Sequence, residues 1–188
     1  MKSPQILRIL FITALIIVSS YIRTQQYFPN IAPIAAIALF GGATLASPWS
    51  FALPLAAQFT SDVLIGFDRL GVTYAVYASF IVTVLVGSWL KKFSPLRMLG
   101  ASLLSSTIFY LVTNAAVWKF SELYPPSTDG LILSYIYALP FYRNTLFGDL
   151  VYSSSLFLAY FYLPQIAASF VKLWHKTVHK PQAATLSK

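Results

Sequence analysis

The sequence predicts an all-α membrane protein, a bundle of about six transmembrane helices with both termini in the cytoplasm. The chain is 57% hydrophobic and only 10% charged, and its mean hydropathy is +0.69. Soluble domains carry about 25% charged residues, so too few are present here to cover a surface that faces water. Apolar runs near the roughly 20 residues that cross the hydrocarbon layer recur along most of the chain.

The apolar runs divide the chain into one membrane domain, residues 1–174, and a basic cytoplasmic tail, residues 175–188. The predicted spans lie near residues 6–22, 31–46, 51–66, 74–90, 98–118 and 146–173. The first run follows Lys2, as in a signal peptide, but no small-x-small cleavage site follows it. We therefore interpret it as an uncleaved first helix.

The second run is short for a full crossing, and Pro33 fits the first turn of its helix. Its small residues recur at spacings of three and four, which permits close contact between helices. These residues are Ala32, Ala35, Ala36, Ala38 and Gly42. The pattern is compatible with packing inside the bundle or with docking to a partner membrane subunit.

The longest connection runs from Lys119 to Asn144 and contains a short apolar stretch, residues 131–139. That stretch is too short to span a membrane, and Pro140 follows it directly. We predict a short surface or re-entrant helix here, separate from the last span. Pro164 predicts a kink within that last span.

The distribution of charge predicts the orientation. With six spans, nine of the thirteen basic residues share the side of the two termini: Lys2, Arg8, Lys91, Lys92, Arg97, Lys172, Lys176, Lys180 and Lys188. The other side holds Arg23, Arg69, Lys119 and Arg143 together with the five acids, Asp62, Asp68, Glu122, Asp129 and Asp149. Because cytoplasmic loops retain Lys and Arg, the side with nine basic residues is predicted to be cytoplasmic.

Several classes of function are not supported by the sequence. The net charge of +8 does not indicate nucleic-acid binding, because the basic residues sit at the ends of apolar spans. There is no cysteine, Walker A motif, nucleophile elbow or zinc-protease motif. His175 and His179 have a metal-binding spacing but no third ligand nearby. We therefore expect no catalytic residue, metal or cofactor, and any ATPase must come from another chain.

The candidate site consists of polar residues in or beside spans, where ionisable groups are costly and suggest function. Asp62 ends the third span, Asn114 lies near the end of the fifth, and Asp149 begins the sixth. Arg143 and Asn144 lead into the sixth span, and Tyr142 or Tyr152 could stack on a ligand. We predict that these residues bind a small polar molecule in one outward-facing cavity.

More ordinary interpretations remain open for the same residues. The charged groups could be wetted by lipid headgroups, and Asp149 could cap the start of its helix. The outer tyrosines and phenylalanines could form an interfacial belt, or a lid edged by the Phe28-Pro29-Asn30 and Pro140-Phe141-Tyr142 turns.

Several motifs together resemble an uncharacterised bacterial family of proposed transport proteins. They are Asn30-Ile31-Ala32-Pro33 with the run to Ala43, Ser61-Asp62-Val63-Leu64-Ile65-Gly66, Thr113-Asn114 with Trp118, Tyr124-Pro125 with Gly130-Leu131, and the run from Pro140 to Leu150. The layout is also similar to the substrate-binding S components of energy-coupling-factor vitamin transporters. Those proteins have six helices, an apolar second helix with a glycine-rich end, and an acid near the end of the third.

The resemblance implies a protein of the bacterial inner membrane that captures a vitamin-like micronutrient from outside. It also implies partners, namely a transmembrane coupling subunit and ATPases supplied by other chains. The alternatives are a non-catalytic membrane scaffold subunit and, less favoured, a membrane-embedded enzyme in which Asp62 and Asp149 form the acid–base pair.

Overall fold

The computed structural model describes residues 3–25, 30–45, 48–90 and 94–178. Within these ranges the chain forms six α-helices and no strand: α1 (Ser3–Thr24), α2 (Ile34–Thr44), α3 (Trp49–Ile65), α4 (Leu70–Ser88), α5 (Pro95–Phe120) and α6 (Thr128–Val178). The all-helical prediction is confirmed. The predicted turn at Phe28 and Pro29, the pair Lys91 and Lys92, and the end of the tail from His179 lie outside the described residues.

Two helices in the described ranges, α4 and α5, are long and apolar enough to cross a membrane. Helices of this length and composition also occur in the cores of soluble proteins. α2 has 11 residues and is about 16 Å long, roughly half the thickness of a bilayer's hydrocarbon core.

The prediction of a separate short helix at residues 131–139 is wrong. α6 runs without interruption from Thr128 to Val178, through Pro140. Contacts with α5 hold the helix on both sides of this proline. The Tyr110 hydroxyl donates to the Tyr135 carbonyl (2.8 Å), and the Thr107 and Tyr142 hydroxyl oxygens lie 2.8 Å apart. Such tertiary contacts compensate for the backbone hydrogen bond that proline cannot make.

α2 lies in the centre of the bundle, where it packs against α3, α4, α5 and α6. Its residues Ile34, Ala38 and Leu39 are almost completely buried. α1 packs on α3, where the Ser20 hydroxyl donates to the Ala57 carbonyl (2.9 Å). Of the two interpretations of the small-residue run, the structure shows packing inside the bundle.

Glycines set the close approach of α2 to α4. A Cβ atom on Gly42 would overlap the Val84 carbonyl oxygen, and one on Gly87 would overlap the Leu39 carbonyl oxygen. The two glycines also face each other, since a Cβ on Gly87 would lie 3.2 Å from the Gly42 Cα. The backbones of α2 and α4 therefore touch at this level, as in membrane helix pairs built on small residues.

The distribution of side chains is partly inverted compared with a water-soluble bundle. Many serines are buried between helices, among them Ser61, Ser79, Ser102, Ser106 and Ser153. Large apolar side chains of α4 and α5 face outward, among them Ile81, Leu85, Leu103, Leu104 and Leu111. The helices thus bury small polar residues beside an apolar core, and they also turn large apolar side chains outward.

Candidate functional site

A cavity of about 500 Å³ opens at one end of the bundle. At this end α1, α3 and α5 finish and α2, α4 and α6 begin, and we call it the cavity end. Each of the six helices, or a residue next to it, contributes to the wall. The volume falls within the roughly 300–1,000 Å³ of small-molecule sites in proteins.

One wall of the cavity is polar and is formed by α5 and α6. Three of the predicted site residues line it: Asn114, Tyr142 and Asp149. Tyr110, Thr113 and Thr145 line it as well. The Asn114 side-chain amide donates to the Tyr110 carbonyl (2.8 Å), which fixes the orientation of this side chain.

Asp149 is the buried acid of this wall. Only 4% of its surface is exposed, and its carboxylate accepts a hydrogen bond from the Ser106 hydroxyl (2.6 Å). It lies well inside α6 rather than at its start, so it does not cap the helix. Within the described parts of the chain no basic side chain forms an ion pair with it. A buried carboxylate that meets a cavity with one neutral donor is a strong acceptor for a ligand.

Aromatic rings form a second feature of the wall. The rings of Tyr110 and Tyr142 are stacked, with centroids 4.4 Å apart and planes inclined by 26°. Phe80 of α4 and Phe109 of α5 also line the cavity and are in contact, with ring centroids 5.4 Å apart. The cavity therefore offers flat apolar surface beside its polar groups.

A closed polar network around Asp62 lies behind the part of the lining that Arg23 and Gln58 form. Arg23 donates to the Asp62 carboxylate at 2.7 Å and to the Ser61 hydroxyl at 2.6 Å. The Gln58 amide (3.0 and 3.2 Å) and the Tyr77 hydroxyl (2.9 Å) complete the donors to this carboxylate. This network joins α1, α3 and α4.

The remaining predicted site residues do not line the cavity. Asp62 stands behind Arg23 and Gln58, which do line it. Arg143 is exposed, while Asn144 and Tyr152 are half-buried. The structure thus brings together three of the seven predicted residues and connects Asp62 to the cavity through its partners.

The residues that the sequence analysis missed have recognisable patterns. Ser106, Tyr110, Thr113 and Val117 recur at spacings of three and four along α5, so they share a face with Asn114. Arg23 directly follows the first apolar run, and the sequence analysis used it only to predict the orientation of the chain. Its pairing with Asp62 depends on the packing of α1 against α3, which the sequence does not show.

Three buried serine hydroxyls lie on the helices that carry Asp149 and Ser106. The Oγ atoms of Ser102, Ser105 and Ser153 have no hydrogen-bond partner among the described residues. Ser153 follows Asp149 by one turn of α6, and Ser102 precedes Ser106 by one turn of α5. Buried polar groups without a partner are uncommon in native proteins.

The cavity end also carries an exposed ion pair between two connections. The Arg69 Nη1 atom lies 2.7 Å from the Glu122 Oε1 atom. This ion pair joins the α3–α4 connection to the α5–α6 connection. The hydrogen bond from Arg69 and its charge lower the pKa of Glu122, and the same contact raises the pKa of Arg69.

Comparison with known proteins identifies one family. Residues 3–172 match the model of DUF6580, described as a family of unknown function. No curated protein and no solved structure matches the chain. The match covers most of the chain and all of the cavity-lining residues. This chain belongs to the DUF6580 family.

Proposed function

We propose that this chain is the membrane-embedded substrate-binding component of a micronutrient uptake transporter, with a role similar to that of energy-coupling-factor S components. It captures a small polar or vitamin-like molecule from the outer side of the bacterial inner membrane. The observation that carries this proposal is the cavity at the cavity end, which has the size of a ligand site and combines polar groups with flat apolar surface.

The outward-facing apolar residues support a membrane location. Leu85 of α4 is 47% exposed and Leu104 of α5 is 46% exposed, although both helices are strongly apolar. Many other large apolar side chains are exposed as well, among them Ile81, Leu103 and Leu111, whereas large exposed apolar patches are uncommon on soluble monomers. Lipid as the surrounding solvent accounts for this exposure, and for the small polar residues between the helices.

Charge supports the direction in which the cavity opens. Arg23 lies in the last turn of α1, Arg69 precedes α4, and Lys119 lies in the last turn of α5, so these basic residues are at the cavity end. Arg97 in the first turn of α5 lies at the opposite end, the side on which the order of the spans places nine of the thirteen basic residues. If α1, α4, α5 and α6 each cross the bilayer, and the short α2 with α3 returns the chain to the cavity end, the positive-inside rule places both termini in the cytoplasm and the cavity outside.

Transport from such a cavity requires alternating exposure of the site to the two sides of the membrane, with ligand contacts that differ between the states. The sequence has no motif for binding or hydrolysing ATP. The proposal therefore includes a transmembrane coupling subunit and ATPases from other chains.

The cavity favours this function over its two rivals. A scaffold subunit needs no enclosed ligand site. An enzyme would require Asp62 and Asp149 to converge on one reacting group, but the Asp62 carboxylate accepts hydrogen bonds from Arg23, Gln58 and Tyr77 and does not line the cavity.

Mass spectrometry of small molecules that co-purify with the full-length protein tests the proposal. Ala138 lines the cavity and is 8% exposed, so Ala138→Trp should fill the cavity and abolish co-purification. Leu139→Trp is the matched control, because Leu139 is the next residue of α6 and is 51% exposed. A ligand retained equally by both variants, or a wild-type protein that retains none and binds no added small molecule, would overturn the proposal.

A further inference from the structure

We infer that the cavity selects an organic monocation, a planar or aromatic molecule with a protonated amine or quaternary nitrogen, and that Asp149 is its counterion. The inference rests on the proposed function and names the substrate class of the same cavity.

The charges that line the cavity are the first argument. Arg23 is the one basic residue in the described lining, and its guanidinium is already paired with Asp62. Two carboxylates line the cavity without an ion-pair partner in the described part of the chain, Asp149 inside and Asp68 in the exposed α3–α4 connection. Residues 26–29 contain no Lys or Arg. The site is thus acidic within a chain whose net charge is +8.

The burial of Asp149 is the second argument. An ionised carboxylate removed from water is strongly destabilised unless it is paired with a cation or accepts several hydrogen bonds. Here the Ser106 hydroxyl is its hydrogen-bond donor among the described residues. A ligand that brings a positive nitrogen into the cavity supplies the missing partner.

The aromatic lining determines what kind of cation fits. Phe80, Phe109, Tyr110, Phe141 and Tyr142 line the same cavity as Asp149. Ring faces attract cations and stack on planar groups, whereas they offer little to a strongly hydrated inorganic ion. A volume of about 500 Å³ also exceeds what a single ion requires.

One feature of the cavity would favour an anion instead. The N-terminus of α2 has no side-chain cap, and Ile34 and Ala35 at its start line the cavity. A helix N-terminus carries a partial charge of about +0.5, which is smaller than the full negative charge that Asp149 has in its ionised form, the form that a bound cation favours. Asp68 adds a second carboxylate to the lining. With a cation bound, the carboxylates in the lining therefore outweigh the partial charge of the helix.

Three indole compounds of similar shape test the inference on the wild-type full-length protein in detergent. They are tryptamine, which is a cation at neutral pH, the neutral alcohol tryptophol, and the anion indole-3-propionate. Isothermal titration calorimetry should show that tryptamine binds about tenfold to a hundredfold more tightly than tryptophol, as expected for a charge-assisted hydrogen bond, and that the anion binds least.

A pair of variants then assigns the selectivity to one residue. Asp149→Asn should bring the affinity for tryptamine down to that for tryptophol. Asp129→Asn removes the same charge from the same helix at an exposed position and should leave the selectivity unchanged. If Asp149→Asn does not fold, the three probes on the wild-type protein still decide the inference.

Each remaining outcome contradicts the inference in a distinct way. Equal binding of the three probes, or preference for the alcohol or the anion, overturns the cation preference but leaves the proposed binding function intact. Failure of all three to bind contradicts the inference, and failure of the co-purification experiment as well contradicts the proposed function. Sodium chloride could also raise the melting temperature of the protein where choline chloride does not, and Asp149→Asn could lack this effect. That result would overturn the inference and assign an inorganic cation to the oxygens of Asp149, Ser106 and their serine neighbours.

Discussion

Arg23 and Asp62 form an ion pair, with the Arg23 Nη1 atom 2.7 Å from the Asp62 Oδ1 atom, which joins the end of α1 to the end of α3. The pair has two consequences for the cavity. It fixes one wall, because Arg23 and Gln58 both line the cavity and both donate to Asp62. It also pairs Arg23, the one basic residue in the described lining, so that Asp149 of α6 has no ion-pair partner among the described residues.

Loss of Arg23 should destabilise the bundle. Arg23→Gln leaves the Asp62 carboxylate, whose side chain is 7% exposed, without its counterion. Because the Arg23 side chain is itself 24% exposed, we expect a loss of about 2 kcal/mol, below the roughly 3–5 kcal/mol for fully buried pairs. Equilibrium unfolding in detergent measures the loss. The double variant Arg23→Gln with Asp62→Asn should recover part of it, and a single variant as stable as the wild type would show that the pair is not structural.

Substitution of Gly42, one of the two glycines at the contact between α2 and α4, should push these helices apart. A methyl group on Gly42 would overlap the Val84 carbonyl oxygen, so Gly42→Ala should cost about 1–3 kcal/mol through backbone displacement. Gly100→Ala is the control, because a Cβ at this position of α5 meets no atom within 4 Å. That variant should be about 0.5–1 kcal/mol more stable than the wild type, since alanine favours helix. Equal melting temperatures of the two variants would contradict the close contact.

The exposed pair between Arg69 and Glu122 should make a small, pH-dependent contribution to stability. Because the folded-state pKa of Glu122 is lowered from 4.5, the contribution is present above 4.5 and is lost as the pH falls through the lower folded value. We expect the melting temperature of wild type and Glu122→Gln to differ slightly at neutral pH and to converge under acid conditions. High salt should reduce the difference, since the pair is solvent-exposed. A difference that grows on acidification would contradict this assignment.

The positions of most helices could be predicted from the sequence, because the apolar runs are long and the residues that end them are adjacent to them in sequence. Lys91 and Lys92 follow a predicted span that ends at 90, and α4 ends at Ser88. The prediction failed at Pro140, where a local rule indicated a break. Hydrogen bonds from Tyr110 and Tyr135 to carbonyls across the α5–α6 contact support a continuous helix there. That support comes from tertiary packing, which a local rule does not include.

Part of the candidate site could also be predicted from the sequence. Asp149 and Asn114 are conspicuous because polar residues inside apolar runs are costly. Asp62 was predicted to line the cavity, but it does not. Its carboxylate instead accepts hydrogen bonds from Arg23, Gln58 and Tyr77, and these contacts depend on helix packing that the sequence does not show. Arg143 lies on the exposed face of α6. Where polar and apolar residues occur on all sides of a helix, the face that turns inward depends on packing and cannot be predicted from the local sequence.

The proposed uptake function requires that the cavity end face the outside of the cell. Because the chain has no cysteine, single-cysteine variants can be labelled without background. Asp68 lies in the connection at the cavity end, and Ser94 precedes α5 at the opposite end. In intact cells, a membrane-impermeant maleimide should label Asp68→Cys directly and Ser94→Cys only after permeabilisation. Labelling of both positions in intact cells, or of Ser94→Cys alone, would contradict the proposed topology and with it an uptake site that opens outward.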